Sequence, residues 1–305
     1  MDAVDNPYRP GAGLPPAQLA GRGTILAQIQ SVLDRALAGI AGQTIVLVGE
    51  RGVGKTVLLD EVARSAAEKG FVVSHFELYP GVRLAPTLVR TLGGTLQRLS
   101  SHNRGHAAAR RALGALKAFS IAFPGGPSFS VDIEATPGVA DSGDLVSDVG
   151  ELFTQVGTAA QETGSAVLLT MDEMHFLDES EEWALIRGLH AVGRHGYPVV
   201  LVGASVVAWF TEDNDDDDDG VSTYRQRLYR KIRVPRLSRA GTAAAVIDPA
   251  RARGVEWRPE AVERIYDLTA GRPYEVQRLA GEAWLGADAS PITRADVDRA
   301  ATATP

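Results

Sequence analysis

Gly49-Glu50-Arg51-Gly52-Val53-Gly54-Lys55-Thr56 matches the pattern G-x-x-x-x-G-K-[ST] and follows directly on Thr44-Ile45-Val46-Leu47-Val48, a run suited to a strand. Beyond it, Leu58, Leu59, Val62, Ala63 and Ala66 recur at helical spacing, which predicts a helix over 57–68. Strand, glycine-rich turn and helix in that order make a phosphate cradle. The glycines let the backbone curl its N–H groups inward, and the helix N-terminus beginning near Val57 favours an anion. Lys55 reaches the terminal phosphates and the Thr56 hydroxyl suits Mg²⁺. Residues Gly49, Glu50, Arg51, Gly52, Val53, Gly54, Lys55, Thr56 and Val57 are therefore expected to contact a nucleoside triphosphate.

With 305 residues and 45% hydrophobic content, the chain can bury a large core and a second, smaller one. No run approaches the ~18 apolar residues that span a bilayer, and the polar, Pro-rich start lacks a signal segment, so the expected compartment is the cytoplasm, with no membrane partner. The absence of cysteine excludes disulfides, iron–sulfur clusters and thiolate zinc sites. A net charge of −7 argues against a surface built throughout for nucleic acid.

Pro7, Pro10, Pro15 and Pro16 mark residues 1–22 as an extended arm, ordered or not, ahead of a helix over Thr24 to Ala38. Gly70 stops the second helix, and Phe71 to Phe76 reads as a strand. Residues 85–101 and 106–118 read as helices, and Ile121 to Ile133, with Phe129 and Val131 alternating, as a small hairpin. Leu145 to Ala160 carries another apolar stripe. Ala166 to Met171 and Pro198 to Gly203 are continuous apolar runs, as strands buried on both faces should be, with a helix from Glu181 to about Arg194 between them. Ile232-Arg233-Val234 is a fifth strand candidate. This alternation predicts an α/β parallel sheet flanked by helices over 23–236, with ligand chemistry at the carboxyl ends of its strands. From Leu237 the strand signal stops. Helix starts at Ser238, Pro259, Pro273 and Thr293, with stops at Gly254, Gly271 and Gly286, predict a small helical domain over 237–305.

Hydrolysis needs a carboxylate for the metal and a group to orient water, and Asp172-Glu173 after the third strand supplies both. Asp172 would hold Mg²⁺, directly or through water, and Glu173 would accept the proton of the attacking water. Paired acids after a strand can also be a solvated loop. Coupled to the phosphate loop, the functional reading is preferred.

These motifs together resemble the additional-strand ATPases called AAA+, in their origin-recognition-like and archaeal-type branch. The resemblance extends to Leu19-Ala20-Gly21-Arg22, to Ser222 through Arg230, and to Gly271-Arg272-Pro273-Tyr274. It implies ATP clamped between an α/β core and a helical lid, with residues 6–22 lying against the base. Ser205, just past the fourth strand, matches the polar sensor of the terminal phosphate, a place where the family more often has Asn or Thr; its bland alternative is a helix N-cap. Arg227 and Arg230 fall where the family carries an arginine finger, with Arg227 preferred. A finger acting on a neighbour's nucleotide implies assembly of like subunits. The same arginines could instead cap a helix C-terminus. Arg272 and Pro273 match a lid element that packs on the nucleotide, or equally a helix stop followed by proline at the next first turn.

Other features carry less. Glu212 to Asp219, with its five consecutive aspartates, reads as a solvated loop without the ligand spacing of a calcium site. His102 and His106 are split by Asn103 and Gly105, against a zinc pair, and His175 reads as an ordinary loop residue beside the acids. No dinucleotide fingerprint and no nucleophile elbow occur. The expected function is Mg-dependent ATP binding and hydrolysis coupled to lid motion. The alternatives are a slow-turnover nucleotide switch working with a protein partner, and a DNA-associated ATPase. ATP rather than GTP follows from the resemblance, since no guanine-reading N-K-x-D motif is present. The chain's end soon after Thr293 to Ala300 is expected to leave no room for an appended DNA reader, so DNA binding would need an accessory domain.

Overall fold

A computed structural model describes residues 1–11, 13–40, 43–101, 106–126, 133–210 and 228–303. Arg227, the aspartate run, His102, Phe129 and Val131 lie outside these described residues. Contacts divide the chain into two compact bodies, one of residues 28–48 and 59–232, the other of residues 1–27, 49–58 and 233–305.

The first body holds a five-stranded parallel sheet flanked by helices. Its strands are β1 (Thr44–Val48), β2 (Phe71–Glu77), β3 (Ala166–Asp172), β4 (Val199–Ser205) and β5 (Tyr229–Arg233), in the order β2-β3-β4-β1-β5. All residues of β1, β3 and β4 are buried, which is why their sequences are unbroken apolar runs with no alternation. The register sets Val48 opposite Ser205, Met171 opposite Gly203 and Asp172 opposite Glu77, so these strands end together along one edge.

Helices α1 (Gly23–Leu37), α2 (Lys55–Glu68), α3 (Leu84–Ser100), α4 (His106–Ala122), α5 (Leu145–Thr163) and α6 (Glu179–His195) punctuate the strands. Leu88, Leu92, Leu113, Phe119, Leu152 and Leu185 from four of them join Val46, Leu169 and Leu201 of the sheet in one core. The start of α6 is built by a capping box between Asp178 and Glu181, and its end by Gly196 in the left-handed conformation. Glu181 is buried as well, and its Oε1 accepts from the N–H of Leu84 at 2.8 Å, so one carboxylate serves the N-termini of both α3 and α6.

Several boundaries differ from expectation. The residues expected as a hairpin begin inside α4, which runs on to Ala122 because Phe119 continues its buried face and packs against Phe123. The fifth strand is Tyr229–Arg233 and leaves out Val234, with Tyr229 and Ile232 as its buried residues.

In the second body, helices α7 (Arg239–Arg251), α8 (Pro259–Thr269), α9 (Pro273–Gly286) and α10 (Arg294–Ala303) surround Trp257, Trp284, Val246 and Leu279. The N-terminal arm is ordered against them. Tyr8 is buried edge-on to both tryptophans, and its hydroxyl donates to the carbonyl of Val246 at 2.6 Å. The indole N–H of Trp284 donates to the carbonyl of Asp2 at 3.0 Å. Burial pushes the Tyr8 phenol well above its usual range.

Candidate functional site

Gly49 to Gly54 leave β1 as a loop with Gly52 and Gly54 at φ +78° and +90°, a backbone that a side chain would oppose and that turns successive N–H groups to one side. Helix α2 then starts at Lys55, two residues earlier than the apolar pattern indicated, so Thr56 and Val57 sit in its first turn. Lys55 is 7% exposed, and its ammonium donates to the carbonyls of Gly49 and Glu50, both at 3.0 Å. The lysine thus bridges the mouth of its own loop.

Arg22 secures the loop at another point: it is 4% exposed and donates to the carbonyl of Val53 at 2.8 Å. Burial lowers its pKa, yet a guanidinium stays charged, so a permanent cation lies against the loop. The Glu50 carboxylate receives Arg236 through Nε at 3.0 Å and Nη2 at 2.6 Å. That hydrogen-bonded pairing, aided by the fields of Arg236, Arg272 and Arg233, holds the Glu50 carboxyl below the usual carboxylate range. Arg272 occupies the N-cap of α9 with Pro273 at the first helical position, and is exposed. Within this body Arg272 is near enough to the loop for its charge to act on Glu50.

At the sheet edge, Asp172 is the last residue of β3 and 2% exposed, and its Oδ1 accepts from the N–H of Glu173 at 2.8 Å. Glu173 has φ +55° and ψ 43°, a left-handed conformation uncommon for a residue with a side chain and typical of sites under functional constraint. A 3-10 turn, Met174–Phe176, follows. His175, expected as an ordinary loop residue, lies in that turn with its Nδ1 3.2 Å from Glu173 Oε2. On α2, burial is the main influence raising the Asp60 carboxyl pKa; His75 opposes the rise and Asp172 adds to it.

Ser205 belongs to β4 as its last residue and does not lie beyond it, because Val48 on β1 pairs with it in register. It caps no helix. The residue is fully buried, and its Oγ has no hydrogen-bond partner among the described residues. A buried hydroxyl without a partner is costly and calls for a water or ligand to satisfy it. Arg230 lies on β5 and donates to Gln28 Oε1 at 3.2 Å. Arg22, Arg236 and His175 are the polar residues whose contacts residue-by-residue reading missed. Arg22 had a signal in the Leu19-Ala20-Gly21-Arg22 segment, whereas the partner of Arg236 lies 186 residues away.

A glycine-rich loop with two left-handed glycines, following a buried strand and leading into a helix that starts on Lys55-Thr56, is the mark of a P-loop nucleotide-binding protein. The AAA ATPase domain model matches residues 18–202, more than half of the chain, and the protein belongs to that family. Solved structures agree on the fold. Orc1 of Aeropyrum pernix in complex with DNA is 17% identical with a TM-score of 0.52, over 94% of this chain and 66% of that one. The RuvB Holliday junction branch migration motor of Thermotoga maritima is 16% identical with a TM-score of 0.54, over 96% and 73%. A Walker-type ATPase of Pyrococcus abyssi is 13% identical with a TM-score of 0.57, over 94% and 71%. No curated protein matches in sequence. Family and fold support nucleotide-binding ATPase activity. Among the described residues no helix is long and apolar enough to cross a membrane.

Proposed function

We propose that the protein binds and hydrolyses ATP with Mg²⁺. The observation that carries the reading is the sheet edge, where Val48 leads into the phosphate loop, β3 ends on Asp172-Glu173, and Ser205 presents an unsatisfied buried hydroxyl. Thr56 and Asp172 are hard oxygen donors, the chemistry that Mg²⁺ prefers in sites completed by phosphate. The bound ion would neutralise charge on the phosphates.

In this reading Lys55 exchanges its two carbonyl acceptors for phosphate oxygens, and backbone N–H groups from Gly49 to Val57 complete the cradle. Glu173 takes the proton of the attacking water. Ser205 donates to the terminal phosphate or to that water, which supplies its missing partner. Arg227 is the finger delivered to a neighbouring subunit, so turnover would rise with self-assembly. Residues 1–22 act as an arm, 23–236 as the ATPase core, and 237–305 as a lid whose motion follows nucleotide state through Arg272 and Pro273. A cytoplasmic location agrees with this chemistry.

Phosphate release from Mg-ATP, measured beside molecular mass by light scattering, tests the reading. Glu173→Gln should keep ATP binding and lose roughly 10²-fold or more in kcat. Equal turnover by the two proteins would remove Glu173 as the base.

A further inference from the structure

The turn after β3 has little freedom. The N–H of Phe176 donates to the Glu173 carbonyl, and that of Leu177 to the Met174 carbonyl, both at 3.1 Å. Met174 is fully buried over Gly203 of the adjacent strand, where any Cβ would overlap its sulfur. A glycine on β4 thus makes the seat that pins this turn to the sheet.

Within the turn, the His175 ring lies on Phe176 with centroids 4.3 Å apart, its side chain 14% exposed. The two rings are tilted by 35°, and the imidazole Nδ1 lies 3.2 Å from Glu173 Oε2. Glu173 Oε2 is buried and receives no hydrogen bond from any described residue, so the imidazole is its polar neighbour. The approach has ion-pair distance but is off-line for a hydrogen bond, as is common for catalytic groups before substrate closes on them. The 29% exposure of the Glu173 side chain lies on its other atoms. One carboxylate oxygen therefore lies buried beside the imidazole, and the exposed part of the side chain lies away from it.

We infer that His175 is a positioning residue for Glu173: its imidazole fixes one carboxylate oxygen so that the other meets the attacking water in a single orientation. The inference rests on Glu173 being the base. A carboxylate free to rotate would spend most of its time misaligned, which lowers the rate of the chemical step without weakening nucleotide binding.

His175→Ala and His175→Asn separate this role from packing, since the Asn amide nitrogen falls near the place of Nδ1. The expected result is a kcat lowered about tenfold in His175→Ala, recovery to within about threefold of wild type in His175→Asn, and KM for ATP unchanged in both. Wild-type kcat in His175→Ala, equal losses in the two variants, or a loss confined to KM would each overturn the inference. Glu173→Gln, assayed alongside, tells the two failures apart. If it turns over normally, the base reading falls and takes the inference with it. If it is inactive while His175→Ala is not, only the inference falls. The imidazole ¹⁵N shifts of His175 supply a readout independent of turnover: they should move in Glu173→Gln, and unmoved shifts would refute the contact.

Discussion

The phosphate loop and the acidic turn after β3 are two short segments that follow buried strands, and their polar groups are treated in opposite ways. Around the loop, Lys55 spends its ammonium on two carbonyls, Arg22 holds Val53 and Arg236 holds Glu50. At the sheet edge, Ser205 Oγ and Glu173 Oε2 have no hydrogen-bond partner among the described residues, and Glu173 sits in a left-handed backbone. One segment is preorganised by internal hydrogen bonds. The other holds a buried hydroxyl for a ligand or water to satisfy, a left-handed glutamate, and a carboxylate oxygen whose polar neighbour is the His175 imidazole. In the function we propose, the first segment binds the nucleotide and the second carries the chemistry.

Substitutions can break that contrast, and Lys55→Ala has the largest expected effect. It removes both the bridge across the loop and the cation for the phosphates, so ATP affinity should fall by roughly 100-fold or more, read by titration calorimetry. Retained affinity would show that the loop binds without its lysine.

Gly203→Ala comes next. The new methyl displaces buried Met174 and should cost about 1–3 kcal/mol in urea unfolding, with turnover falling because the Glu173 turn loses its seat. Ser205→Ala sharpens the comparison differently. Deleting an unsatisfied buried hydroxyl should stabilise the nucleotide-free protein by about 1 kcal/mol while lowering kcat. If stability falls, the hydroxyl has a partner and the edge is not primed as described.

The smallest effect belongs to Arg236→Ala. Arg236 depresses the Glu50 pKa, so its contribution is present above the unfolded-state pKa of Glu50 and is lost as pH falls through the lower folded-state value. Wild type and variant should therefore differ slightly in melting temperature near neutral pH and converge in acid. The pair is exposed, so salt should shrink the difference further.

Much of the fold was legible because its signals are local. The run Thr44 to Val48, the glycine loop and the stripe through Leu58, Val62 and Ala66 lie within 25 residues of one another, and the buried strands β3 and β4 read as apolar blocks. Errors fell where pattern and pairing diverge. Ser205 reads as a residue beyond a strand because its hydroxyl breaks the apolar run, yet pairing with Val48 keeps it in β4. Ile121 to Ile133 reads as a hairpin because Pro and Gly interrupt it and Phe129, Val131 and Ile133 alternate, yet Ile121 and Ala122 belong to the helix, while residues 127–132 lie outside the described ones.

Local chemistry, carried by neighbouring residues, determined that this chain holds a phosphate loop, paired acids at a strand end and an α/β alternation, since glycine conformations, apolar blocks and helix stops act within a few residues. Tertiary structure alone decided which polar groups are satisfied. Glu50 finds Arg236 across 186 positions, Met174 finds its seat over Gly203, and Ser205 Oγ finds no partner among the described residues. Hydrogen bonds and burial depend on where strands and loops are brought together, and no periodicity along the chain encodes that meeting.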